Sequence, residues 1–354
     1  MRSPTPRRSA VTVHRHVLRS PHGACERCAA GFTVPELAVI VAVLFCGLAL
    51  FAPYLLKLRE ASRQAECRER LRTLAVAVIG HHEAQQRFPE GQIARRSKAN
   101  AIGRYADSEE ARASDGAPAS GASWIVAVLP HVDHQALFDR WDQKQSVLSN
   151  ADVAQTELSF AYCPSRRGAV GGLGLAGACD RVSDGWTGGG NDYAACNGSG
   201  ITFNDEARQT WDLDEMQLAA TTRDGVCPYS SAANQRGLFG VNSRLTRSEV
   251  EAADGLANVL MLSERRVFHN AAPNEQHSSD GWAWGGPATS MSARFAPHTG
   301  AHYDEADSEH PGLVNVALAD GRVRPVSWNI DLRTWTNLGN FASGIPIEHP
   351  EFRR

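Results

Sequence analysis

Residues 31–57 read GFTVPELAVIVAVLFCGLALFAPYLLK, and the meaning of this stretch decides how the rest of the chain is read. From Leu37 to Leu56 there are 20 residues without a charge. A helix rises ~1.5 Å per residue, so the run spans roughly 30 Å, the thickness of a bilayer's hydrocarbon core. The segment before it is basic: Arg2, Arg7, Arg8, Arg15, Arg19 and Arg27 stand against the single acid Glu26, a net +5 over residues 1–31. The whole chain of 354 residues carries −3, so the remainder carries −3 − 5 = −8. A basic flank followed by an acidic bulk fits the positive-inside rule, with the N-terminus cytosolic and the bulk exported. A cleaved signal peptide has a shorter apolar region and a small-x-small cleavage site after it. This run instead passes into KLREASRQAECRER, which continues as a helix, so an uncleaved span is expected.

Composition sets the outer limits. An apolar fraction of 42% with 21% charged residues is that of a globular protein, which excludes wholesale disorder, collagen and coiled-coil rods. A net charge near zero argues against a nucleic-acid coat, and no nucleic-acid partner is expected. Working outward from the apolar run, Glu36 lies at its edge, where an ionised carboxylate is costly unless paired or functional. Pro35 and Pro53 mark points where a membrane helix kinks or locally melts. Past the span, Cys67, Leu71, Leu74 and Val78 follow a 4-3-4 spacing that makes one apolar helix face, with Glu60, Arg63, Arg68, Glu69, Arg70 and Arg72 on the rest. Gly80 weakens the pattern and Phe88-Pro89 ends it. The spacing predicts a helix over about 32–87, on the order of 80 Å long, with the membrane span at about 34–56 and the second half packed on a globular head.

That head, residues 88–345, reads as an α+β fold with an antiparallel β-sheet, followed by a tail at 346–354. Residues 95–123 lack periodicity and are rich in Ala, Ser, Asp and Gly, as in an insertion loop. A short amphipathic helix is expected at 132–141. Residues 168–200 hold 11 glycines in 33 positions, so turns and loops dominate there. LFGVN (238–242) and LANVLMLSER (256–265) read as strands. In LVNVALADGRVRPVSW (313–328), Val314, Val316 and Leu318 alternate with Asn315, Ala317 and Ala319, and Asp320-Gly321 supplies the dipeptide of a type I′ hairpin turn. Asp331 then caps a helix through Leu338, with Gly339 just past its end.

The first 57 residues resemble a type IV prepilin N-terminus. The resemblance is carried by Gly31, the aromatic Phe32, Glu36 at the fifth position after the glycine, the apolar run and Pro53. It implies that a prepilin peptidase cuts after Gly31 on the cytoplasmic side and N-methylates Phe32. It also implies that Glu36 pairs with the freed amine of a neighbouring subunit inside a filament. A buried charge persists only when paired, so the physics agrees. His310 stands ten positions before Asp320-Gly321, and HPGLVNVALADGRV together with ECRERLRTLAVAVIGHHEAQQRFP, SWIVAVLPHVDHQALFDRWD, YCPSRR, DGLANVLMLSER and NIDLRTWTNLG resembles the DUF1559 family of prepilin-type proteins with an H-X9-DG element, known from planctomycetes. Arg166-Arg167 departs from that family's pattern after YCPS. The resemblance spans Gly31 to about Gly339 and implies a pseudopilin-like architecture without an assigned activity.

Candidate chemistry is sparse. Cys25 and Cys28 form a CxxC in the leader near His14, His16 and His22; zinc binding would need further ligands, and a discarded leader is the expected reading. Cys46 sits in the span and Cys67 on the apolar helix face. Cys163, Cys179, Cys196 and Cys227 fall in the exported head, where an even count favours disulfides with three possible pairings, Cys179–Cys196 being preferred because it closes a glycine-rich loop. His310 with Asp320 has the residue types of a catalytic pair, but a turn explains the aspartate. His298, His302, Asp304, Glu305, Asp307, Glu309 and His310 form an acidic, His-bearing run that lacks the EF-hand pattern. Glu264 reads as an exposed charge at a strand end. No GxSxG, HExxH or GxxxxGK[ST] motif occurs, so no catalytic residue, metal or cofactor is expected. Trp282 and Trp284, two apart, present either a core contact or a face that stacks on a sugar. The expectation is a single-pass inner-membrane subunit, head periplasmic, that assembles with like subunits into a pilus-like or secretion filament. The alternative is a tethered module that binds a ligand and never polymerises.

Overall fold

The computed structural model describes residues 33–93, 122–145, 147–168, 188–200, 235–240, 242–265, 267, 280–300, 304–347 and 352. Gly31, Phe32, Cys179, Cys227, the leader and nearly all of the expected loop at 95–123 lie outside the described residues. The chain divides into two units, Met1–Leu55 and Leu56–Arg354.

Helix α1 runs Val34–Gln85 without interruption at Pro53. Pro35 falls in its first turn, where the missing N–H would have no helical partner anyway. Thr33 donates both its backbone N–H and its hydroxyl to the Glu36 carboxylate at 2.8 Å, one half of a capping box. In the first unit the side chains of Val34, Val39, Val43, Phe45 and Leu48 are exposed, and the helix is long and apolar enough there to cross a membrane. The second half behaves as its spacing predicts: Cys67, Leu71, Leu74 and Val78 are fully buried. The helix stops at Gln85, and Gln86 takes a left-handed φ of 59°.

The second unit is built on a five-stranded sheet of order β3-β1-β2-β4-β5, with β1 Tyr193–Cys196, β2 Leu260–Glu264, β3 Ser290–Met291, β4 Leu313–Leu318 and β5 Val323–Ser327. Three of its pairings are antiparallel, but β1 and β3 run parallel, so the sheet is mixed rather than purely antiparallel. Parallel neighbours need a long crossover, and the chain between Cys196 and Ser290 supplies it. One face, with Tyr193, Ala195, Met261 and Ala317, packs on Leu71, Leu74 and Val78 of α1 and on α2 (Trp124–Val128). The other, with Ala194, Cys196, Val314, Val316 and Val326, packs on Trp335 and Leu338. A register shift between Leu260 and Leu262 inserts one extra residue, so that Met261 and Leu262 both serve the α1 face. Around the sheet lie α3 (Gln135–Arg140), α4 (Ala151–Ala154), α5 (Arg247–Ala253) and α6 (Leu332–Gly339).

Several local expectations are corrected. The 313–328 hairpin is present, but its loop has three residues, Ala319-Asp320-Gly321. Gly321 N–H donates to Leu318 O at 2.8 Å, Leu318 N–H to Arg322 O at 2.9 Å, and only Gly321 has a positive φ, 87°. This is a type I turn with a glycine bulge, not type I′. Of the expected strand at 238–242, the described residues 238–240 and 242 form none: Leu238 and Phe239 fill the core as an irregular segment beside β1. The 132–141 helix shortens to Gln135–Arg140, because Asp133 adopts a left-handed φ of 62°. Gly339 closes α6 rather than following it. A Cβ there would stand 2.4 Å from that of Ala293, so the glycine permits close packing.

Candidate functional site

Where β2 ends and β4 begins, beside the middle of α1, lies a buried polar centre. His310, in the turn that feeds β4, is almost fully buried, with Nδ1 2.6 Å from Glu60 Oε1 on α1 and Nε2 3.1 Å from Glu264 Oε1 at the end of β2. Glu60 also binds Arg63 and accepts from the Ser165 hydroxyl. Glu264 Oε2 accepts from the backbone N–H of Asn315 at 2.8 Å and from its side-chain amide at 3.1 Å. Burial works against a proton on His310, yet its close contacts with the Glu264 and Glu60 carboxylates, and their charges, outweigh it and raise its pKa. Burial likewise pushes Glu60 up, but hydrogen bonds from His310, Arg63 and Ser165 hold it below its ordinary value. Glu264 is therefore not the exposed strand-end charge that its position suggests; it is 1% exposed.

Beside this centre Cys67 and Cys163 form a disulfide, their Cα atoms 5.4 Å apart across 96 residues of chain. Cys163 Sγ lies 3.6 Å from His310 Nε2. Cys179 of the expected Cys179–Cys196 pairing lies outside the described residues, and Cys196 carries no disulfide. Cys196 is a buried free thiol on the α6 face of β1, its Sγ 3.6 Å from Gly339 O, with its pKa pushed up by burial to about 12. Cys163 instead meets a cysteine on α1, which local spacing within the head does not point to.

A second buried cluster adjoins it. Arg167 donates to Asp280 through two nitrogens and to Asp192 at 2.9 Å, and its guanidinium lies 5.2 Å over the Tyr162 ring. Asp192 Oδ2 accepts from the backbone N–H of Cys163 at 2.8 Å, which ties this cluster to the disulfide. Burial lowers the pKa of Arg265 to about 10, while burial raises and Arg167 more than offsets the pKa of Asp280, which ends below the usual carboxylate range. Arg166-Arg167, a departure from the resembled family's pattern, thus supplies buried counter-charge.

His310 and Asp320 are not brought together. They stand at opposite ends of β4, separated by roughly 20 Å of strand, and Asp320 pairs with Arg322 at the lip of a cleft also lined by His82 and Arg247. The acidic run is parcelled out: His298 meets Asp307, Glu305 accepts from Thr299 and Gly300, Asp304 faces Arg294, and Glu309 faces Arg166. His302 lies outside the described residues. Trp282 and Trp284 are buried in a turn, Trp282 donating to Thr156 O and lying tilted against Trp141 with ring centroids 6.1 Å apart, so they offer no sugar-binding face.

Residues 57–333, more than three quarters of the chain, match the family described as "Protein of unknown function (DUF1559)". The chain belongs to the DUF1559 family. The match begins at Lys57, after the apolar run, so it covers α1's packed half and the sheet but not Gly31, Phe32 or Glu36. No curated protein matches the chain, and no solved structure does either. Within this DUF1559 chain, His310 of the H-X9-DG element is the hub of the buried centre, and Asp320-Gly321 makes the hairpin turn. Asp192, Asp280 and Arg265 were not singled out by sequence, and Glu264 and Glu60 were read only as a strand-end charge and as part of the helix's polar side. Glu60 lies seven residues before Cys67 and so continues the buried stripe by two turns, not the polar side to which the charge pattern assigned it.

Proposed function

We propose that this DUF1559 chain is a pilin-like, pseudopilin-type subunit that works by assembly rather than by catalysis. The observation that carries the reading is the order of Gly31, Phe32 and Glu36 before an exposed apolar helix whose later turns form the core of a globular unit. In this reading the basic leader stays cytoplasmic, the inner membrane holds the helix, and the head is periplasmic. A prepilin peptidase removes residues 1–31 and methylates Phe32. Like subunits then pack their apolar helices, and Glu36 exchanges its Thr33 cap for the amine of a neighbour. That exchange neutralises both charges where water is absent, the condition under which a buried ion survives.

Mass spectrometry of the mature N-terminus tests the processing step. A chain beginning at N-methylated Phe32 is expected; an intact leader, or trimming beyond Leu56, overturns the reading. Glu36→Ala tests assembly: the chain should still be cut, yet fail to form intersubunit crosslinks in cells. A tethered binder would be indifferent to that substitution, and its Trp282/Trp284 face is already lost to the core.

A further inference from the structure

Four donor groups from four separate segments meet at the buried centre. The Sγ atoms of Cys67 and Cys163, a carboxylate oxygen of Glu264 and a ring nitrogen of His310 all lie within 4.8 Å of one another, and all four residues are buried. We propose that these residues form a zinc site in the reduced chain, and that the Cys67–Cys163 disulfide is the state in which the site is closed.

The donor set is the first argument. Two thiolates, an imidazole and one carboxylate are the N, O and S ligands of a four-coordinate zinc, whereas calcium and magnesium take oxygen ligands. The supporting shell is the second. A metal-binding histidine turns one nitrogen to the metal and donates its other N–H to a carboxylate. His310 Nδ1 is 2.6 Å from Glu60, which leaves Nε2 facing Cys163 Sγ and Glu264 Oε1. Asn315 holds the far oxygen of Glu264, which fixes the near one toward the same point. The third argument is that near oxygen itself. Glu264 Oε1 is buried, and its 3.1 Å ion contact with His310 Nε2 lacks the alignment of a hydrogen bond, so the oxygen accepts none. A buried carboxylate oxygen without a donor is costly, and a cation at the common focus of Nε2 and Oε1 would satisfy it. A disulfide that served only as a staple would require neither the histidine nor the carboxylate.

The chemistry balances. Opening the bridge takes two electrons from an external reductant: a trialkylphosphine and one water give the phosphine oxide and two thiols. Zinc capture then replaces both S–H protons, which leave to solvent. Re-oxidation by a thiol oxidant forms the S–S bond, removes two donors and releases the ion.

The test uses the full chain in detergent, carrying Cys25→Ser and Cys28→Ser so that the leader cannot bind metal. After phosphine reduction it is dialysed against zinc or cobalt(II), and metal content and the thiolate-to-cobalt absorption are measured. One ion per chain is expected in the reduced form, with loss of the ion on re-oxidation. Glu264→Gln should weaken binding by at least about tenfold, and Cys67→Ser should abolish the charge-transfer band. Absence of uptake when thiol titration shows Cys67 and Cys163 reduced overturns the proposal. So does uptake that neither substitution changes. If a variant does not fold, the redox comparison on the parent chain still decides. Pilin-type processing is untouched by either result.

Discussion

His81 sits on α1 with Nδ1 3.3 Å from Arg87 O and its ring nearly buried. Burial, opposed only by that hydrogen bond, pushes its pKa down to about 4, while the unfolded chain titrates near 6.5. The stability this difference contributes is complete above 6.5 and is lost as pH falls from 6.5 toward 4, because only the unfolded chain takes up the proton there. The loss is on the order of 2–3 kcal/mol. Denaturant midpoints at pH 7.5 and 4.5 should show it, and His81→Gln should flatten the difference; an equal slope in the variant would assign the effect elsewhere. Arg167 gives a second prediction at the same scale. It is the shared partner of Asp192 and Asp280, both with side chains fully inaccessible to water. Arg167→Met would leave two buried carboxylates short of counter-charge, at a cost of about 3–5 kcal/mol. A loss below about 1 kcal/mol would mean that Arg166 and Arg265 already carry the balance.

At the scale of elements, the long helix and the β4–β5 hairpin were legible because each repeats one instruction over many residues. Cys67, Leu71, Leu74 and Val78 state a period of 3.6, and Val314, Val316 and Leu318 state a period of 2. What the dipeptide Asp320-Gly321 did not reveal is the loop length, since DG serves both a two-residue type I′ turn and the glycine position of a three-residue loop. The structure's choice has a consequence. Gly321 holds φ 87°, and a Cβ there would lie 2.9 Å from Ile79 Cδ1 on α1. Gly321→Ala should therefore cost about 1–2 kcal/mol, mostly from the backbone, because the Ile79 tip can shift. Asp331→Ala should cost about 1 kcal/mol, since its carboxylate accepts from Thr334 N–H at 2.9 Å as the cap of α6. Both are checked by urea denaturation at neutral pH. If Gly321→Ala proved neutral, the left-handed turn would not be the conformation the chain holds in solution.

For the whole molecule, the polar centre was illegible for a reason that the helix and hairpin make plain. Its members, Glu60, Cys67, Cys163, Glu264 and His310, are spread over 251 positions, and apart from Glu60 and Cys67 on α1 they share no period. Each looks ordinary where it stands: a charge on a helix, a cysteine near a turn, a glutamate at a strand end. Only the sheet order, which seats β2 beside β4 and lays α1 across them, makes them neighbours. The same long range sets the energy of the disulfide. Joining residues 96 apart removes more freedom from the unfolded chain than a short loop does, in total about 4.7 kcal/mol in the chain-entropy description. At roughly 2–4 °C per kcal/mol for a domain of this size, reduction in the presence of a chelator should lower the melting temperature by about 9–19 °C. The double variant Cys67→Ser/Cys163→Ser should melt at the same lowered temperature whether or not reductant is present. Zinc supplied to the reduced parent chain, but not to the double variant, should restore part of the loss, because an ion held by both thiolates ties α1 to the segment after α4 as the bridge does. A melting temperature unmoved by reduction would show that Cys67 and Cys163 are not joined in solution.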